Sequence, residues 1–183
     1  MKSPPTTEEK YEFWKHSFAR QSFVDTQIFT EQIILHKYPY ESPILKALTI
    51  SALTCYARPF KHRPKTKLSE DVIPGQFRSL HNGLIILRDK VAAHRDLGND
   101  EEWAKINRLD FHFKDGILDA NTKSVIMPEA KAEEVNRYVT ELIKVMDSKI
   151  DPFVHTHLEY LTQRPGIFAL KLTEETDWLV EIS

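Results

Sequence analysis

Phe77, Leu80, Leu84, Leu87 and Val91 advance by steps of three and four residues, which lays a single apolar stripe along a helix. The next step of that stripe falls on His94. A titratable group therefore stands where the pattern asks for a core side chain, and Gly98-Asn99 just beyond it supplies a helix stop. Departures from a local rule concentrate at functional sites. A second stripe, His81, Ile85, Arg88, Ala92 and Arg95, runs beside the first. The helix expected here spans about Gly75 to Asp96 and carries Arg88, Asp89 and His94 near its end.

Upstream, Thr6 or Thr7 caps a helix beginning at Glu8-Glu9. It is expected to run, bent or split, to about Tyr38, where Pro39 stops it. Tyr11, Trp14 and Phe18 share one of its faces. Ser42-Pro43 opens a second helix with Leu45, Leu48, Ala52 and Cys55 as its buried stripe, and Pro59 ends it. A polar loop follows over about residues 60–75, then the helix of the Arg–His segment. Beyond it, Leu109 to Phe113 alternates apolar and polar, as in a half-buried strand. Asp115-Gly116 reads as a turn and Ser124 to Met127 as the returning strand. Pro128 opens a helix with Val135, Tyr138, Val139, Leu142, Ile143 and Met146 in period. Asp151-Pro152 starts one more, and Gly166 to Leu172 with Asp177 to Ile182 forms a closing hairpin. The expected fold class is α+β and mainly α: a helical bundle over residues 6–97 and a small antiparallel β appendage over residues 105–183, packed on it as a single compact unit.

Composition narrows the functions available. A hydrophobic fraction of 41% with 28% charged residues is ordinary for a globular protein. A net charge of −2 exerts no global pull on nucleic acid, so any such contact must come from a local patch. The lone cysteine, Cys55, excludes an internal disulfide and a zinc framework, and its helical position reads as a buried structural thiol. The start, Met1-Lys2-Ser3-Pro4-Pro5, lacks the apolar core of a signal peptide, and no stretch has the length of a membrane span. A cytoplasmic protein without membrane contact is expected. With five glycines there is little room for a phosphate-cradling loop, and no carboxylate–histidine cluster has zinc spacing. His155-Thr156-His157 falls on an expected helix, where alternate residues diverge. No metal and no cofactor are expected.

The run Leu87-Arg88-Asp89-Lys90-Val91-Ala92-Ala93-His94-Arg95-Asp96 resembles the HEPN superfamily, whose hallmark is Arg, a polar residue, a few further positions and His. The phrase is similar to the abortive-infection branch, as is the upstream Cys55-Tyr56-Ala57-Arg58-Pro59-Phe60. The resemblance covers roughly residues 8–97. It implies a HEPN-like helical bundle and a metal-independent endoribonuclease of toxin–antitoxin or antiphage type. It also implies RNA as substrate, a homodimer in which two Arg–His motifs meet across a two-fold axis, and an antitoxin or other partner protein. Some HEPN toxins carry a modifiable tyrosine two residues after the histidine; Asp96 stands there in this chain, so that regulation is not carried over.

The residue types allow the implied chemistry. A neutral imidazole takes a 2′-hydroxyl proton near pH 7, and a guanidinium stabilises charge on the phosphate oxygens. His94 fits the base or acid, Arg88 the electrostatic partner, and Asp89 a group that orients Arg88 or fixes a histidine tautomer. On a regular helix Arg88 and His94 point about 120° apart and lie about 9 Å apart along the axis, so a shared cleft needs a loosened helix end or a second subunit. The cationic run from Arg58 to Lys67 offers Arg58, Lys61, Arg63, Lys65 and Lys67 as RNA-binding candidates, with Arg95 beside the motif. Arg58, at a helix end, is also expected to help build the cleft. Two other readings stand beside this one. Either Arg88 forms a structural ion pair with a nearby acid and His94 caps the helix end, in a non-catalytic dimerisation, nucleotide-binding or protein-interaction module, or the chain is an accessory subunit that docks through its β appendage.

Overall fold

The computed structural model describes residues 4–92, 109–114, 117–122, 125–158, 167–170, 172 and 179–182, with residues 90–92 and the strands described through their backbone. Helices dominate it. The first, α1, is one continuous helix, Thr7–His36. Its start is a reciprocal cap: Thr6 Oγ1 accepts from the Glu9 N–H at 3.2 Å, and the Glu9 carboxylate accepts from the Thr6 N–H at 2.7 Å. Its end comes before Tyr38 and does not wait for Pro39. Lys37 turns into the left-handed region at φ 45, ψ 50, and its N–H closes on the Ile33 carbonyl at 3.2 Å.

The second helix, α2, is Pro43–Ala57, with the Ser42 hydroxyl as cap and proline in the first turn. The expected loop is a succession of 3-10 turns, Arg58–Phe60, Pro64–Thr66, Glu70–Val72 and Gly75–Phe77. These bring Leu68 and Ile73 into the core, at 1% and 4% exposure. Helix α3 is Arg78–Ala92, its first expected turn being the last of those 3-10 turns. Helix α4 is Glu129–Phe153. Pro152 does not start a new helix: it sits in the last turn of α4, where its missing N–H breaks the hydrogen-bond ladder, and Val154–Leu158 continues as a π turn.

Leu109–Lys114 (β1) pairs antiparallel with Ile117–Thr122 (β2), Leu109 opposite Thr122. The returning strand is therefore earlier than the expected Ser124 to Met127. Residues 125–127 form no strand; the Met127 N–H donates instead to Thr49 Oγ1 at 2.9 Å, which anchors Met127 in the core. The turn at Asp115-Gly116 lies outside the described residues. Ile167–Leu170 (β3) and Leu179–Ile182 (β4) form a second antiparallel pair.

One core joins helices α1 to α4. Ala19, Phe23 and Ile33 come from α1, Leu45, Ala52, Leu53 and Tyr56 from α2, Leu84 from α3, and Ala132, Val135, Tyr138, Val139, Leu142 and Met146 from α4. Each such large apolar side chain contributes about 1.5–3 kcal/mol when fully buried. Helix α4 thus belongs to the core itself and is not a layer added to a bundle that ends near residue 97. The stripe of α2 turns inward at Tyr56, leaving Cys55 only half-buried.

The contact between α1 and α4 is polar at its centre. Ser22, Thr26 and Thr30 are buried, and their hydroxyls donate back to the carbonyls of Phe18, Ser22 and Gln27 at 2.9, 2.8 and 2.9 Å. Across the seam Asn136 Nδ2 donates to Thr30 Oγ1 at 3.2 Å, Gln27 Nε2 to Thr140 Oγ1 at 3.4 Å, and Arg20 pairs with Asp147. The order of these pairs makes the two helices antiparallel. Among the described residues no helix is long and apolar enough to cross a membrane.

Candidate functional site

Helix α3 stands against the turn that follows α2. His81, on its inner face, meets the Phe60 ring edge-on with centroids 4.7 Å apart. Seven residues on, two helical turns along the same face, comes Arg88. At that level Lys61, the residue after Phe60, reaches α3: its Nζ lies 2.6 Å from Asp89 Oδ2. The other carboxylate oxygen of Asp89 accepts from Arg88 Nη1 at 3.0 Å. Asp89 thus bridges α3 and the cationic turn.

Partial burial opposes the charge on Asp89, but the hydrogen bonds from Lys61 and Arg88 outweigh it and hold the carboxyl below its ordinary value. Because Lys61 and Asp89 are 38% and 41% exposed, the pair contributes only about 0–1 kcal/mol to stability; its effect is to fix positions. The Arg88 side chain is 29% exposed, and its Nε is buried without a hydrogen-bond partner among the described residues, unusual for a buried donor. Of the two roles open to Asp89, the contact with Arg88 is the one formed among the described residues. His94 and Arg95 lie outside them.

The inner face of α3 also holds a polar group that its apolar stripe does not announce. His81 is 2% exposed, with Nδ1 2.5 Å from Tyr56 Oη, and the Tyr56 hydroxyl donates to Tyr138 Oη at 2.9 Å. The single Tyr56 proton serves Tyr138, so His81 donates to Tyr56 through Nδ1–H. Burial pushes the hydroxyls of Tyr56 and Tyr138 up, Tyr138 to about 12. Burial also holds the His81 imidazole below the ordinary histidine value, with Glu70, 4.0 Å from Nε2, acting against the shift and Arg78 adding to it.

The depressed histidine has a consequence for stability. The unfolded chain takes up a proton near pH 6.5, while folded His81 resists it. The contribution is therefore present above pH about 6.5 and is lost as pH falls through that value toward the lower folded pKa. Denaturant midpoints between pH 8 and pH 5 should fall, and His81→Gln should flatten the decline. His16, also lowered by burial, has the same sign and leaves a residual slope. An unchanged slope in the His81 variant would remove His81 as the cause.

The remaining basic candidates divide. Arg63, Lys65 and Lys67 are exposed along the turns. Arg58 is also exposed, but its guanidinium carbon lies 5.4 Å from the centroid of the Phe18 ring, and it hydrogen-bonds the half-buried Cys55 thiol, whose pKa burial raises against that bond. These contacts tie Arg58 to α1 and to the end of α2. Arg58 joins an aromatic cluster with Trp14, Phe18 and His62. The face shared by Trp14 and Phe18 was legible from their spacing; His62, from a distant turn, was not. His155 and His157 occupy the π turn, where His157 packs on Phe153 and lies 3.9 Å from Glu9. Among the described residues no three histidine, cysteine or acidic side chains converge as metal ligands do. No family model matches the chain, and no match was found among curated proteins or solved structures.

Proposed function

We propose that the chain is a metal-independent endoribonuclease of HEPN type, acting in a toxin–antitoxin or antiphage setting. The observation that carries the reading is the 2.6 Å contact between Lys61 and Asp89. It joins the cationic run to the helix that carries Arg88, two features singled out separately in the sequence. A phosphate backbone following Lys61, Arg63, Lys65 and Lys67 arrives beside Arg88. In this reading His94 accepts the 2′-hydroxyl proton. The 2′-oxygen bonds to the adjacent phosphorus as the 5′-oxygen leaves, taking a proton from solvent water, and Arg88 stabilises the charge on the non-bridging oxygens. Asp89 positions Arg88 and Lys61. The products are a 2′,3′-cyclic phosphate and a 5′-hydroxyl. The reading includes a bundle of HEPN type with its hairpins as an appendage, a cytoplasmic location, and a homodimer whose contact includes α3 and brings two motifs to one cleft.

The test is incubation of the purified chain with single-stranded RNA in EDTA. New 5′ ends that accept phosphate from a kinase without prior phosphatase treatment, paired with cyclic 3′ ends, are expected. Cleavage that requires added metal, or none at any concentration, would overturn the reading. One observation favours the alternative of a non-catalytic interaction module: the Arg88 guanidinium is already engaged by Asp89 within its own helix. That module would retain its dimer and show no cleavage.

A further inference from the structure

We infer that Trp14, Phe18, His62 and Arg58 form a subsite for an unpaired base of single-stranded RNA, an inference that rests on the RNA reading above. Trp14 and Phe18, one helical turn apart on α1, stack with centroids 5.1 Å apart and planes within 4°. His62 leans on both rings, 5.5 Å from Trp14 and 5.2 Å from Phe18. Arg58 adds a cation 5.4 Å from the Phe18 centroid. The three rings are only half-buried and Arg58 is exposed, unlike the core aromatics Phe23, Tyr56 and Phe60, which are at 0–2% exposure. A core cluster can hold an imidazole, as at His81, but it would exclude the arginine. A surface that stacks a base and neutralises its phosphate needs both types of group.

Two details make the site prepared. The His62 ring is tied through Nδ1 to the hydroxyl of Thr66, which itself donates to the Arg63 carbonyl at 3.2 Å. The ring is therefore oriented before a ligand arrives. The adjoining residue, Lys61, is bound to Asp89 beside Arg88. Neighbouring Cα atoms lie about 3.8 Å apart, so one short turn presents Lys61 to the Arg88 helix and His62 to the aromatic pair. A strand crossing this turn sets its backbone on Lys61 and Arg88 and one base on Trp14. Duplex RNA, with its bases already stacked, cannot use the platform.

The experiment measures binding of a fluorescent single-stranded RNA oligomer and of a duplex of equal length, in EDTA, to the full chain carrying His94→Ala so that no substrate is consumed. Trp14→Ala should weaken single-strand binding about tenfold or more, with the slope against salt unchanged and duplex binding unaffected. Trp14→Phe should restore most of the loss. Arg58→Gln, at an exposed position, should weaken binding and also reduce the salt slope by about one phosphate contact. If the single strand binds and both Trp14→Ala and Arg58→Gln bind it equally well, the subsite is wrong and the RNA reading survives. If the chain binds no RNA, the RNA reading fails and the subsite falls with it.

Discussion

Replacing His94 with alanine should lower metal-free RNA cleavage by about 10²–10⁴-fold, the range expected when a general acid or base is removed. The position, the first polar break in an otherwise apolar helical stripe, motivates the assignment. Arg88→Ala should cost about 10²–10³-fold, as for loss of a preorganised group that stabilises charge in the transition state. Arg88→Lys should recover little, because an ammonium keeps the charge but lacks the planar fork that meets two phosphate oxygens. Initial rates under saturating single-stranded RNA, with far-ultraviolet circular dichroism to show that the helices persist, measure these effects. Equal rates for wild type and His94→Ala would exclude His94 from the chemistry. Asp89→Asn should act more weakly and through position: it leaves the helix intact but loosens both Arg88 and Lys61.

Truncating Tyr56 is the largest expected stability effect. This side chain is fully buried among Phe23, Phe60, His81 and Tyr138. Tyr56→Ala should cost about 3–5 kcal/mol, as other buried aromatic truncations do. Tyr56→Phe keeps the volume and removes only the hydroxyl, leaving His81 Nδ1–H without its acceptor and Tyr138 without its donor. That variant should lose about 1–3 kcal/mol. Denaturant titration measures both, with a lower midpoint at unchanged slope. A Tyr56→Phe variant as stable as wild type would mean that the hydroxyl chain contributes nothing beyond its packing.

The starts of α1 and α2 were legible because their causes are local. Thr6 with Glu9, and Ser42 with Pro43, are complete within four residues. The period of Val135, Tyr138, Val139, Leu142 and Met146 likewise marks the buried face of α4 from the sequence alone. The end of α1 was less legible: the sequence offered Pro39, but Lys37 adopted a left-handed conformation that its side chain does not favour. The continuation of α4 through Pro152 was hidden for a related reason. A proline so near a helix end costs little when the ladder is about to break anyway. In the candidate site, Arg88 and Asp89 could be chosen from one helix. Their link to Lys61, and the meeting of His62 with Trp14, join positions far apart in sequence and depend on how α3 and the turn after α2 pack. His81 was visible on its stripe, but only the facing Tyr56 and Phe60 explain why a histidine is stable there.

The hydroxyl and amide pairs between α1 and α4 bear on which arrangements the chain avoids. An apolar seam of small side chains would let one helix slide past the other by a turn at little cost, since dispersion contacts are nearly the same at either setting. Directional pairs hold only at one offset: moving α4 by a turn separates Asn136 from Thr30, Gln27 from Thr140 and Arg20 from Asp147 together. Directional polar pairs used in this way select a register more than they add stability. A variant that removes all three pairs, by Thr30→Val, Asn136→Leu, Gln27→Leu and Arg20→Leu, should therefore unfold at a similar denaturant concentration, yet give broader amide resonances, because adjacent settings of the two longest helices then become nearly equal in energy.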